Sequence, residues 1–319
     1  VGEADPVRAV EVLPGVVSTS DFSSAFHVRG GSADQNLILL DGTPIFSPFH
    51  LGGFFSVFNA DMVSRAELAS GGFPARYGGR VSSVLTVESD PGGGELEVDA
   101  GVSVLATRVA VAGGMGERDV RWRLSARRSY FDKLLAPFTD FPYHLQDLQG
   151  VAEFGLSPRD RIRVTAYTGD DVLDFTQIDN EDFPLRVDWD WGNDVAGVRW
   201  DRDLSNGRLT VRASTSRFST GLAFPDFDDT DFRSRISQEG GGLDWTLRRG
   251  VVEVGLGAEV QDYAYDNLAS SGGTVFSQGV GDGLQLAGYL QTSWRSPGRW
   301  LIEAGARVDR WAPDPGDPG

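Results

Sequence analysis

From about Glu95 onward, apolar and polar residues alternate one by one, segment after segment. "VVEVGLGAEVQ" sets Val252, Val254, Leu256, Ala258 and Val260 against Glu253, Gly255, Gly257, Glu259 and Gln261. "DVRWRLSARRSY" sets Val120, Trp122, Leu124 and Ala126 against Arg121, Arg123, Ser125 and Arg127. A period of two puts each set on one face of a β-strand, whereas a helix would scatter both sets around its circumference. "RIRVTAYT", "GRLTVRAST" and "RWLIEAGARVD" repeat the pattern. About eleven such segments follow one another, many near the ~10 residues that a tilted membrane strand needs. This part of the chain reads as antiparallel all-β.

The connections alternate too. "GMGERD", "SPRD", "LSNG", "RRG" and "RSPG" read as tight polar turns. "APFTDFPYHLQD", "LDFTQIDNEDFPLRVDWD", "AFPDFDDTDF" and "DNLASSGGTVFSQGVGDG" read as long loops. Short turns at one end and long loops at the other are how outer-membrane barrels are built. A soluble β-sandwich or propeller shares this rhythm. Arginine and glutamate opposite glycine suit a wet lumen better than a solvent face.

Composition narrows the partners. Apolar residues at 40% and aromatics at 11% are enough for a packed core. A net charge of -17 argues against nucleic acid or an anionic membrane surface as the main partner. Without cysteine there is no disulfide, thiolate metal site or cysteine nucleophile. No apolar run reaches the roughly 18–20 residues of a membrane helix, which leaves barrel strands open. The opening "VGEADPVRAV" has no signal-peptide pattern, and "APDPGDPG" ends without a closing element. The expectation is a piece of a longer protein.

Residues 1 to about 90 have another rhythm, that of a compact α/β unit. "DPVRAVEVL" offers Asp5 as N-cap, proline in the first turn, and apolar Val7, Val10 and Leu13 before Pro14-Gly15. "FHVRG" and "NLILLDG" read as short strands, the second covered on both faces. "GGFFSVFNADM" offers a short helix, and "VSRAELASGG" and "RVSSVLTVES" two more strands. Between those two lies "GGFPARYGG", rich in glycine where positive φ or a close backbone approach is required.

Five motifs in this region come in a fixed order: "LPGV" (13–16), "VRGG" (28–31), "LLDGTPI" (39–45), "MVSRAELASGG" (62–72) and "ARYGGRVSSVLTV" (75–87). Together they resemble the plug domain of TonB-dependent outer-membrane receptors. "GFPARYGG" and "SSVLTV" look most like receptors that carry a carboxypeptidase-like regulatory domain before the plug. "RRSYFDKLL" and "LQDLQGVAEFGLSPRDRIRVTAYTGDD" look like the first barrel strands of that group. The resemblance implies a plug over residues 1–90 and the N-terminal half of the barrel over 95–319, roughly eleven of ~22 strands. It also implies a TonB box before Val1, the remaining strands beyond Gly319, and the outer membrane of a Gram-negative bacterium as location.

The implied activity is energised uptake of a scarce ligand such as a siderophore, cobalamin or glycan, with TonB and outer-membrane lipid as partners. A passive porin and a soluble carbohydrate-binding protein are the rivals; no cofactor and no catalytic group is expected. On this reading Pro14, Gly15, Arg29, Gly30, Gly31, Asp41, Gly42, Pro44, Gly71, Gly72, Arg76, Tyr77, Gly78, Gly79 and Arg80 are plug residues with structural and transport roles. Gly71, Gly72, Gly78 and Gly79 make the turns and close approaches. Arg76 and Arg80 reach carboxylates on plug or wall, and Asp41 caps its own turn.

The histidines His27, His50 and His144 are too scattered for a metal cluster and read as structural. "GGSADQN" has no Lys-Ser/Thr after its glycines, so it is no nucleotide loop, and no G-x-S-x-G frames a serine nucleophile. The acidic, phenylalanine-bearing runs "DDVLDFTQIDNEDF" and "FPDFDDTDF" offer Asp179, Glu181, Asp182, Asp228, Asp229 and Asp231 as candidate ligand-binding residues. By strand parity these runs fall outside the cell, and "SPRD", "LSNG" and "RSPG" in the periplasm.

Overall fold

The computed structural model describes residues 5–10, 13, 15–18, 26–103, 105–116, 119–135, 137, 141–176 and 185–313. Asp5 heads helix α1 (Pro6–Val10), its Oδ1 accepting from Val7 N at 2.8 Å and Arg8 N at 3.4 Å. Val7 and Val10 are buried, whereas Leu13, expected on the same face, is exposed and lies beyond the described helix. Strand β1 (Val16–Ser18) pairs with β2 (Phe26–Val28). Strand β3 (Asn36–Leu40) turns at Asp41-Gly42 into β4 (Thr43–Pro44), and β5 (Phe49–His50) pairs with β6 (Phe55–Ser56). Strands β7 (Val63–Ala69) and β8 (Ser83–Ser89) flank the glycine loop. The central sheet runs β4-β3-β8-β7, with β8 parallel to β3 and antiparallel to β7.

Apolar Val28, Leu40, Phe58, Leu85 and Val87 fill the core of this unit, and Tyr167 and Val195 of the later strands close it. The segment 52–62 does not form the expected helix. It makes two 3-10 turns, Leu51–Gly53 and Ala60–Met62, on either side of β6. Gly52 and Gly53 at φ 62° and 105° cannot continue a right-handed helix, and Asn59 caps the second turn through Asp61 N at 3.1 Å.

The remaining strands are β9 (Glu97–Val102), β10 (Ala106–Met115), β11 (Val120–Ser129), β12 (Tyr143–Ser157), β13 (Asp160–Asp174) and β14 (Asp188–Leu204), then β15 (Gly207–Phe224), β16 (Thr230–Arg249), β17 (Val252–Ser271), β18 (Thr274–Arg295) and β19 (Leu301–Pro313). They form one antiparallel sheet of eleven strands in unbroken chain order, curved around the α/β unit as a wall. The only helix in the wall among the described residues is α2 (Phe131–Leu134). All the expected tight turns fall at one end of the sheet.

The other end departs from expectation. Strands β12 to β18 run 15 to 22 residues, not about ten. The stretch 223–232, read as a loop, is a hairpin that turns at 225–229, and 266–283 turns at Gly272-Gly273 alone. Cross-strand partners Trp189, Leu222, Phe232 and Ala269 form an apolar row that keeps the ladder zipped beyond the short strands expected. Aspartate and glycine suggested loop where they only punctuate a long hairpin.

Side chains alternate in and out as the sequence requires. On β17, Glu259, Gln261 and Tyr263 line a cavity beside the plug unit, so Val254, Leu256, Ala258 and Val260 face outward.

Candidate functional site: the seam between the α/β unit and the wall

The side chains that fasten the inner unit to the wall are ionisable, and they converge on His50. Its hairpin, β5–β6, holds the imidazole 1% exposed between two wall carboxylates. Nδ1 lies 2.6 Å from Asp171 Oδ2 and Nε2 lies 2.9 Å from Asp147 Oδ1. Asp147 also accepts from Arg127 Nε and Tyr167 OH, each at 2.6 Å. Asp171 accepts from Leu51 N at 3.1 Å and from Tyr143 OH. Arg127 closes the ring by donating to Ser56 O of the same hairpin at 2.8 Å. Burial works against a charged imidazole, but Asp147 and Asp171 outweigh it and push the His50 pKa up to about 9.

Asp41 forms a second node. Its Oδ1 accepts from Ser89 N at 3.0 Å and from Arg163 Nη1 of β13 at 2.9 Å, and its Oδ2 from Thr165 at 2.7 Å. Arg163 is held from the far side by Glu153 at 2.9 Å. The expected role for Asp41, capping its own turn, is not what its carboxylate does: the described hydrogen bonds go to Ser89 and to the wall. A carboxylate on a β3–β4 turn with φ 49° is aimed at the wall. A third node joins Arg123 to Asp61 O at 3.2 Å and Arg108 to Asp61 at 2.7 Å.

Beside β15–β19 the contact is looser. A cavity of about 610 Å³ separates the wall from β3, β8 and residues 76–80. The glycine loop crosses it on two described hydrogen bonds, Ala75 N to Gln291 Oε1 at 2.8 Å and Arg307 Nη1 to Arg76 O at 2.9 Å. A Cβ on Gly78 would sit 2.4 Å from Arg307 Nε, which is the close approach this glycine serves. Gly71, Gly72 and Gly79 adopt positive φ, as do Gly15, Gly30, Gly42 and Arg29. Gly31 packs on Ser82, and Pro44 pairs with Leu39; Pro14 lies outside the described residues.

Arg76 and Arg80 depart from expectation. Neither makes an ion pair among the described residues: Arg76 lies over the Tyr77 ring, 5.1 Å from its centroid, and Arg80 donates to Gly79 O at 2.8 Å. Glu259, which lines the same cavity, is held instead by Arg212 and Arg307 at 3.0 Å each.

Asp228 and Asp229 sit at φ 55° and 49° in the turn between β15 and β16, where Asp228 O accepts from Gly272 N at 2.5 Å. Asp231 pairs with Arg233 at 2.8 Å. Asp179, Glu181 and Asp182 lie outside the described residues. Among the described residues no group of three His, Asp or Glu side chains is placed to hold a metal ion. The seam residues Arg127, Asp147, Arg163 and Asp171 escaped the sequence reading, although the inward parity of Arg123 and Arg127 on β11 was a signal for them.

Residues 2–84 match the family model of the TonB-dependent receptor plug domain. No curated protein sequence matches the chain. Among solved structures, the ferric citrate transporter FecA superposes with TM-score 0.75 at 14% identity, covering 97% of this chain and 54% of that one. The copper transporter OprC gives 0.73 at 14% identity over 97% and 52%, and the siderophore receptor PirA from Acinetobacter baumannii 0.69 at 15% over 97% and 55%. The chain thus spans about half the length of the structures it matches. Residues 2–84 thus carry a TonB-dependent receptor plug domain, and the eleven-stranded wall around it shares the fold of the transporters on which the chain superposes.

Proposed function

We propose that the chain is the plug and first part of the barrel of an energised outer-membrane importer, in which TonB pulls on the plug from the periplasm and admits a ligand bound outside. The observation that carries this is the seam. Ionic and hydrogen-bonded contacts involve groups that water can satisfy once it enters the seam, whereas a wholly apolar interface would weld the plug in place. A passive pore has no use for an inner unit pinned by buried charges.

Trp122, Trp200, Trp245 and Trp294 alternate away from the plug near the short-turn end, which supports a membrane interface there and a periplasmic position for those turns. The hairpin tips with Asp228, Asp229 and Asp231 then stand on the side where cargo arrives. Iron-chelate and copper cargo, named for the neighbours, are the first classes to try.

The test uses the full-length receptor. Thr43 and Gly197 face each other across the seam, a Cβ on Gly197 falling 2.5 Å from Thr43 Oγ1. The pair Thr43→Cys with Gly197→Cys, oxidised, ties plug to wall in a chain without cysteine. Growth on ferric citrate, ferric catecholates or limiting copper is expected to need both TonB and reduction of that bond. Growth indifferent to both would sink the proposal.

A further inference from the structure

On the inward face of β15–β17, side chains stand in cross-strand rows. Two rows are uncharged and hydrogen-bonding: Thr220–Ser234–Asn267 toward the hairpin tips and Ser216–Gln238–Tyr263 nearer the plug. Apolar and aromatic rows alternate with them, Leu222–Phe232–Ala269 at the top and Phe218–Ile236–Tyr265 between the two. Register partners share a face, and Gln238, Gln261 and Tyr263 line the cavity beside the plug, so the whole column faces inward. The charged residues along these lengths of strand, among them Arg217, Arg233, Arg235, Asp262 and Asp266, alternate to the outward face. In a chain where 24% of residues are charged, an inner column free of charge as far down as the Arg212–Glu259 pair is a local exception.

The column joins two hollows. Its upper end borders a pocket of about 420 Å³ lined by Trp189, Phe232 and Asn267 among others. There Trp189 Nε1 donates to Thr220 Oγ1 at 3.1 Å, and Ser234 Oγ to Asn267 Oδ1 at 2.6 Å. Arg233 also borders this pocket, but it alternates outward and pairs with Asp231 at 2.8 Å. The lower end is the 610 Å³ cavity, where Gln238 and Gln261 are each 7% exposed. Gln261 Oε1 and Ser216 Oγ, both shut off from solvent, have no hydrogen-bond partner among the described residues. A buried amide oxygen or hydroxyl left alone calls for a group that brings its own hydrogen-bonding atoms. Arg76 and Arg80 on the same lining have no ion pairs, but neither do Asp34 and Glu88, so they leave no excess of charge. Amides and hydroxyls both donate and accept, and aromatic rings offer an apolar face. Alternating the two suits a sugar, whose rim carries hydroxyls and whose ring face is C–H. A metal chelate would find no free counter-charge on the column, and water alone would make no use of the rings.

We propose that this column is a track for a neutral carbohydrate, with an outer station at Trp189, Phe232 and Asn267 and an inner one at Gln238, Gln261 and Tyr263. The proposal rests on the transport reading above and narrows its cargo beyond the iron and copper of the neighbours. It is tested by native mass spectrometry of the full-length receptor titrated with the neutral trisaccharides maltotriose, cellotriose and mannotriose. Trigalacturonate, with a carboxylate on each ring, and ferric citrate are the charged comparisons.

At least one neutral trisaccharide should bind more tightly than either anion. Gln238→Leu with Gln261→Leu, which keeps side-chain size, should weaken that trisaccharide roughly tenfold. Trp189→Ala should weaken it by a similar factor, and since Trp189 is 39% exposed its loss spares the fold. Arg217→Gln with Arg235→Gln, on the outward face, should leave binding unchanged. The proposal is overturned if no neutral trisaccharide binds, if trigalacturonate or ferric citrate binds more tightly, or if the Trp189 variant stays within about twofold of the parent. Binding needs no TonB. A receptor that holds the trisaccharide through these residues yet never imports it keeps the track and sinks the transport reading instead.

Discussion

The inner unit meets β11–β14 and β15–β19 in different ways. Against β11–β14 its apolar core runs on into Tyr167, Val195 and, around Phe55, into Tyr143 and Trp191, and the wall's Asp147, Asp171 and Arg163 are paired across the seam with His50 and Asp41. Against β15–β19 there is the 610 Å³ cavity, and the wall's charges pair with one another. One side grips and the other leaves room. On the transport reading, a plug anchored on one side has a direction in which to give way, and the glycine loop lies on that open side.

The largest test of this contrast is at the grip. Asp147→Leu removes the acceptor shared by His50, Arg127 and Tyr167, stranding cations in a buried seam at a cost of ~3–5 kcal/mol. In planar bilayers, the urea concentration at which full-length receptors begin to conduct ions should fall sharply. An unchanged threshold would mean the His50 node does not hold the plug.

How much of this was legible beforehand follows from what each feature depends on. Alternation is local, so the strands, the tight turns and the outward face of β17 could all be read from the residues. Asp5 ahead of Pro6 gave the start of α1 for the same reason. The seam was not legible because it joins residues such as His50 and Asp171, 121 positions apart, whose meeting depends on how the sheet curls. His50 therefore looked like an isolated histidine, and Asp41 like a turn residue. Arg76 and Arg80 were misread in the opposite direction. Their charge was visible, but not that Arg212 and Arg307 would reach Glu259 first.

The second test is pH. His50 titrates at about 9 in the seated plug against 6.5 when free. Its contribution to seating is thus fully present below about pH 6.5 and lost as pH rises through about 9, on the order of 3 kcal/mol in all. The urea threshold for conduction should fall between pH 6.5 and 9 in the parent receptor and stay flat in His50→Gln. A parallel decline in both would assign the effect elsewhere.

A smaller effect is expected in the glycine loop. Gly71 combines φ 136° with Arg29 Nη1 2.8 Å from where a Cβ would lie. Gly71→Ala should cost about 2 kcal/mol of local strain. Since the loop borders the cavity, that strain should show as faster protease cleavage within residues 70–82 and not as earlier conduction. Earlier conduction with an intact loop would mean that the open side carries more of the plug's hold than its contacts imply.

The smallest effect belongs to Arg307. Its guanidinium contacts Glu259 and Asp309 within the wall, and reaches the plug only through Arg76 O. Arg307→Ala therefore removes one charge-assisted hydrogen bond to the plug at a partly exposed site, about 1 kcal/mol. It also frees Glu259, and Arg212 is already in place to hold that carboxylate at 3.0 Å, so no charge is left stranded as it is in Asp147→Leu. The same gap opens room beside Gly78, which in the parent sits against that side chain. Gly78→Ala should accordingly impair plug seating in the parent and be tolerated in the Arg307→Ala background. If the two substitutions added instead of compensating, the close approach at Gly78 would not be what fixes the loop to β19.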